Sequence, residues 1–287
     1  MTGYFQVGMF VVYLAALFDF FPISRTNSGF NRGQPRVRIV TPLAAFWVSV
    51  YIVMLIIGLL LSDARLKSFS MGQIVNGLFF IPLVVAGMNW KNRLGVPSLP
   101  WLWALRKRPA GGRIAGVARR IGVKKPLQLL AILYLTPVII SLILFTLVPP
   151  AMSDQTAETL KLGETPSLAT ILLVLNLLVA APLAEEILFR HYLQTRLIAL
   201  FRRLLPRAQT TVTPLAIACG ITIATLLFAF SHTNILTNDW LKYAQIIVLG
   251  ASLGWCQWRL GTEASVFLHY AFNFTLLLSA PFLNISA

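Results

Sequence analysis

The chain has 287 residues, 57% of them hydrophobic and 11% charged, with a mean hydropathy of +0.76. Such values exclude an ordinary soluble domain and describe an all-α polytopic transmembrane helical bundle. Net charge is +15, but its placement argues against nucleic acid: ten Lys or Arg and no acid lie between Asn89 and Pro126, interleaved with Trp90, Trp101 and Trp103. Basic residues with tryptophans between two apolar runs predict interfacial anchoring against anionic lipid.

With a spanning helix needing roughly 20 residues, the chain divides into about eight apolar spans, near 4–21, 39–61, 71–88, 127–149, 167–189, 212–231, 242–258 and 264–283. The first lacks a basic leader and a small-residue cleavage site, which predicts a retained helix instead of a signal peptide. Sorting the loops alternately puts 20 of the 24 Lys and Arg on one side, leaving Arg65, Lys67, Lys161 and Lys242 on the other. The positive-inside rule makes the basic side cytoplasmic and both termini external, as expected for a multi-pass protein of a bacterial inner membrane. The basic segment also divides the chain. Residues 1–126 read as N-terminal membrane helices with a basic cytoplasmic loop, suited to a structural or partner-binding role. Residues 127–287 hold the chemistry: all three histidines, His191, His232 and His269, and the adjacent acids Glu185 and Glu186. Cys219 and Cys256 sit in apolar runs and read as packing residues.

Two carboxylates at the end of an apolar run are the strongest signal. Placing a carboxylate in hydrocarbon costs several kcal/mol by most estimates, so such a residue reads as functional. Helical residues four apart share a face, so Glu186 can meet Arg190, while Glu185, about 100° round, faces something else. Pro182 frees the backbone carbonyl of Leu178 and loosens the helix one turn before the acids.

Two further pairs project from single helix faces: Phe228 with His232, and His269 with Asn273. An antiparallel hairpin turning around 205–209 places Glu185 and His232 at equal distance from its turn, about 35 Å at 1.5 Å per residue, so the two side chains can meet. His269 lies only about 12 Å past the turn at 259–263, so the hairpin must protrude into the cytoplasm for all three to coincide. A carboxylate beside an imidazole can hold and deprotonate a water. His269 and Asn273 offer two donors for the oxyanion of a tetrahedral intermediate.

Glu185-Glu186-Ile187-Leu188-Phe189-Arg190, Phe228 to His232, and His269 to Asn273 resemble, in order, the three motifs of the CAAX protease and bacteriocin-processing (CPBP) family, the type II CAAX prenyl endopeptidase group also called Abi. The resemblance covers roughly 167–280, and no motif position departs from the pattern. It implies a glutamate-dependent intramembrane endopeptidase in which Glu185 and His232 activate water, His269 and Asn273 stabilise the oxyanion, and Glu186, Arg190 and Phe228 support them. The implied substrate is a peptide or lipidated peptide, with no cofactor. The chemical rival is a zinc protease using Glu185, His232 and His269, although the helical His-Glu-x-x-His signature is absent. A non-enzymatic transporter or scaffold is the other alternative, disfavoured because its polar residues would be confined to one half. Gly250 and Gly254 read as a small-x-x-x-small packing face, and His191 as an interfacial residue.

Overall fold

The computed structural model describes residues 2–20, 126–153, 181–204 and 214–279, with isolated positions at 49, 52, 53, 56, 174, 178 and 282. The expected spans 39–61 and 71–88 and the basic lipid-anchoring segment 89–125 lie outside the described residues. In chain order the helices are α1 (Thr2–Phe20), α2 (Pro126–Leu147), α3 (Ala181–Glu185), a π-helical segment (Glu186–Gln194), α4 (Thr195–Leu204), α5 (Pro214–Phe230), α6 (Asp239–Leu260) and α7 (Thr262–Ser279). Among the described residues there is no strand, only an isolated bridge between Met152 and Leu236.

Local chemistry explains the boundaries. Pro126 and Pro214 open α2 and α5, where the missing N–H is unneeded and the fixed φ suits a first helical position. Gly261, at φ 102°, turns the chain between α6 and α7, a backbone state that a side chain would strain. Its N–H closes back on Gln257 O at 3.0 Å. The π-helical stretch begins four residues after Pro182 and widens the winding over nine residues. Such i→i+5 winding is rare and gathers at functional sites.

Leu127–Leu147 is the one described helix long and apolar enough by itself to cross a membrane. Its large side chains Ile132, Leu135, Ile139 and Ile143 face outward, as an apolar solvent permits. Val7–Leu17, Pro214–Phe230 and Ala264–Ser279 are shorter apolar helices. The described helices thus reproduce the all-α expectation without establishing a count of eight spans.

Helix α6 runs through the middle of the packed half, against α2, α5, α7 and the π-helical segment. Its Leu249, Leu253 and Cys256 are fully buried and join Leu183, Phe228 and Phe272 in one core, to which α1 adds Tyr13 and Ala16. Gly250 and Gly254 form the close-approach face expected of them. A Cβ at Gly250 would lie 2.9 Å from Thr225 Cγ2, and one at Gly254 would lie 2.8 Å from Gln194 Oε1 and 2.9 Å from Ile221 Cγ2. Gln194 cannot yield freely, since its amide nitrogen donates to Gly254 O at 3.0 Å and to Gln257 Oε1 at 2.8 Å. Gly254→Ala is therefore expected to destabilise by about 1–3 kcal/mol through overpacking. Thermal unfolding in detergent checks this, and an unchanged midpoint would show that α6 can move aside.

Candidate active site

Glu185 closes α3 and Glu186 opens the π-helical segment, so the adjacent acids point to different surroundings. Glu186 is fully buried. Its Oε2 accepts a very short hydrogen bond from Ser265 Oγ and lies 3.9 Å from Arg190 Nε, and its Oε1 lies 3.1 Å from His269 Nδ1. A buried carboxylate needs such partners, because desolvation would otherwise drive it from the interior. The Arg190 guanidinium, also fully buried, stands 4.5 Å above the Phe228 ring, a cation–π arrangement. Its nitrogens have no hydrogen-bond partner among the described residues, so Glu186 is the charge that holds it.

Phe228 is the apolar hub. Its ring centroid lies 4.7 Å from that of His232, 5.9 Å from that of His269 and 5.2 Å from that of Phe189, each edge-on. Edge-to-face packing at these separations fixes both imidazole planes. The backbone carbonyl of Phe228 also accepts from Ser231 Oγ at 2.7 Å and faces His232 Nδ1 at 2.8 Å. A carbonyl only accepts, so Nδ1 of His232 carries the proton and Nε2 of the neutral ring presents a lone pair.

That Nε2 lies 4.0 Å from Glu185 Oε1, while His269 Nε2 lies 3.8 Å from Glu185 Oε2. Both separations exceed a direct hydrogen bond and suit a single oxygen atom bridging each pair. Glu185, at 27% side-chain exposure, keeps a path to the outside that Glu186 lacks. Asn273 lies one turn beyond His269 on α7 and is half-buried. Glu185, Glu186, Arg190, Phe228, His232 and His269 thus form one cluster drawn from α3, the π-helical segment, α5 with the turn that follows it, and α7. Among the described residues, no group of three His, Cys, Asp or Glu is arranged to hold a metal ion.

The turn carrying His232 is clamped from outside the motifs. Met152 bridges Leu236, Ser153 N donates to Ile235 O at 3.2 Å, and Thr237 N donates to Ala151 O at 2.9 Å. Ser153 Oγ donates to Asn234 O at 2.6 Å, and Asn234 N to Asp239 Oδ1 at 2.7 Å. These bonds hold Asn234 at φ 64°, a left-handed state that asparagine tolerates.

His191 corrects the sequence reading. Expected at the membrane interface, it is buried, with Nδ1 3.0 Å from Thr262 Oγ1. The π-helical winding is the reason: at roughly 80° per residue instead of about 100°, residue 191 turns toward the face of Glu186 instead of well away from it. The same contact sets the α6–α7 turn level with His191. The hairpin of α4 and α5 therefore continues past that turn, by about 14 Å over the ten residues of α4. That protrusion is what lets His269 reach the level of Glu185. Ser265 was missed at the sequence level. It stands four residues before His269 on one helix face, a spacing that could have revealed it.

Acids and imidazoles gathered inside an apolar helical bundle define a buried carboxylate–imidazole site. Residues 167–275 match the family described as Type II CAAX prenyl endopeptidase Rce1-like. The matched stretch contains Glu185, Glu186, Arg190, Phe228, His232, His269 and Asn273. No curated protein and no solved structure matches the chain.

Proposed function

We propose that the protein is a glutamate-dependent intramembrane endopeptidase that hydrolyses a peptide bond by direct attack of water. The observation that carries this reading is Glu185 facing the Nε2 atoms of His232 and His269 with its two oxygens, at 4.0 and 3.8 Å. A water bridging Glu185 and the His232 lone pair gives its proton to the Glu185 carboxylate as its oxygen attacks the scissile carbonyl carbon. The carbonyl electron pair moves onto oxygen, where His269 Nε2–H and the Asn273 amide receive it. Collapse of the intermediate expels the amine, which takes the proton held by Glu185. His269 turns Nδ1 to Glu186 Oε1 at 3.1 Å, which leaves Nε2 on the side of Glu185 and the substrate. Glu186, Ser265 and Arg190 position His269 and do not touch the substrate.

The substrate is a peptide or a lipidated peptide of CAAX or bacteriocin-processing type, and the setting is a multi-pass protein of a bacterial inner membrane with the basic 89–126 segment against anionic lipid. Mass spectrometry of products from a membrane-peptide library, wild type against Glu185→Ala, tests the reading. Products that persist in the variant would remove Glu185 from the chemistry.

The second reading is zinc catalysis with Glu185, His232 and His269 as ligands, which rests on the donor types alone. Imidazole and carboxylate suit that metal. Under the metal-free mechanism, cleavage is expected to survive exhaustive chelation. Loss of cleavage that added zinc restores would select the metal reading instead.

A further inference from the structure

Helix α6 opens beside His232, and two bonds fix that proximity. Thr233, next to His232, is hydrogen-bonded through Oγ1 to the hydroxyl of Tyr243, next to Lys242, at 2.9 Å. Asp239, in the same opening turn, accepts from Asn234 N at 2.7 Å. These bonds set the opening turn of α6, which carries Lys242, against the turn that carries His232.

The placement is unfavourable on three counts. The side chain is half-buried, although an ammonium is strongly hydrated and resists desolvation. It lies in the opening turn of a 22-residue helix, the end where the helix dipole disfavours a cation. Among the described residues no carboxylate stands within ion-pair distance of it, and its one hydrogen bond goes to Gln245 Oε1 at 2.9 Å. An ammonium has three donors, so two remain for another group. Asp239, the nearest acid in sequence, is engaged with the Asn234 N–H.

A cation so placed, beside groups suited to attacking a peptide bond, fits an anion brought by the substrate. We infer that Lys242 is the subsite for the free C-terminal carboxylate of the peptide substrate, held by its two remaining N–H groups next to the Glu185–His232 pair. An ammonium is a point charge with rotatable donors, so it selects the terminal charge and leaves the identity of the last side chain open. Lys242 then sets how far from the chain end cleavage falls, without entering the chemistry. The inference rests on the endopeptidase reading.

The test uses the full chain in detergent and two peptides of one sequence, one ending in a carboxylate and one in an amide. In the wild type the amide peptide is expected to show kcat/KM lower by about tenfold or more, mostly through KM, as for loss of a charge-assisted hydrogen bond. Lys242→Gln is expected to reduce cleavage of the acid peptide to the level of the amide peptide and to leave the amide peptide unchanged, with Lys242→Arg restoring part of the preference. Equal cleavage of both peptides by the wild type, or equal losses on both with Lys242→Gln, overturns the subsite. So does an effect of Lys242→Gln that appears only as altered dependence on phosphatidylglycerol in vesicles, which would assign the cation to lipid headgroups. Binding of the two peptides to Glu185→Gln, with and without Lys242→Gln, separates the two readings. Discrimination in binding without cleavage by the wild type keeps the subsite and removes the protease, whereas cleavage without discrimination does the reverse.

Discussion

Glu185→Gln is expected to lower the rate of peptide cleavage by about 10²–10⁴-fold, the range associated with a positioned general base, while leaving the unfolding midpoint close to that of the wild type. The amide keeps the shape of the side chain but cannot take a proton from water. Stability should change little because Glu185 is partly exposed and its nearest imidazole nitrogens lie at 3.8 and 4.0 Å, not in tight contact. Single-turnover cleavage together with thermal unfolding separates the two effects. A variant that loses folding and cleavage together would show that Glu185 is a structural acid.

Arg190→Ala is expected to do the converse and to have the largest effect on stability. Glu186 and Arg190 are both fully buried, so truncating the arginine leaves an uncompensated carboxylate, a loss of about 3–5 kcal/mol in typical buried pairs. It also removes the cation over the Phe228 ring, whose position sets both imidazoles. Unfolding followed by near-ultraviolet circular dichroism in detergent measures the loss. The paired change Glu186→Gln with Arg190→Met should recover part of it, because no isolated charge then remains. A midpoint unchanged in Arg190→Ala would mean that Ser265 and His269 suffice to hold Glu186.

How far the sequence reached is clear from particular residues. Apolar runs ended by polar or Pro-rich sequence predicted helices that the structure places at α1, α2, α5, α6 and α7, because such boundaries are set largely by local backbone chemistry. Residue spacing brought Glu185 to the level of His232, since the helical rise converts residue number directly into height. The Glu186–Arg190 pairing was legible for the same reason. The π-helical winding was not, because it depends on bonds from the rest of the bundle, and Pro182 signals only that the local ladder is weakened. His191 was misplaced in consequence. His269 touching both acids was also hidden: no periodicity within one helix reports what two other helices present to it.

The hydrogen bonds between residues 151–153 and 234–237 reach beyond the matched stretch, which begins at 167. So does the bond between Tyr134 and Thr275, at 2.6 Å. A fragment cut at the edge of the family domain would leave the loop of the second histidine without its brace and the last helix without its tie. A fragment is therefore expected to need α2, from Pro126 onward, to keep both contacts, although α2 contributes no side chain to the proposed chemistry.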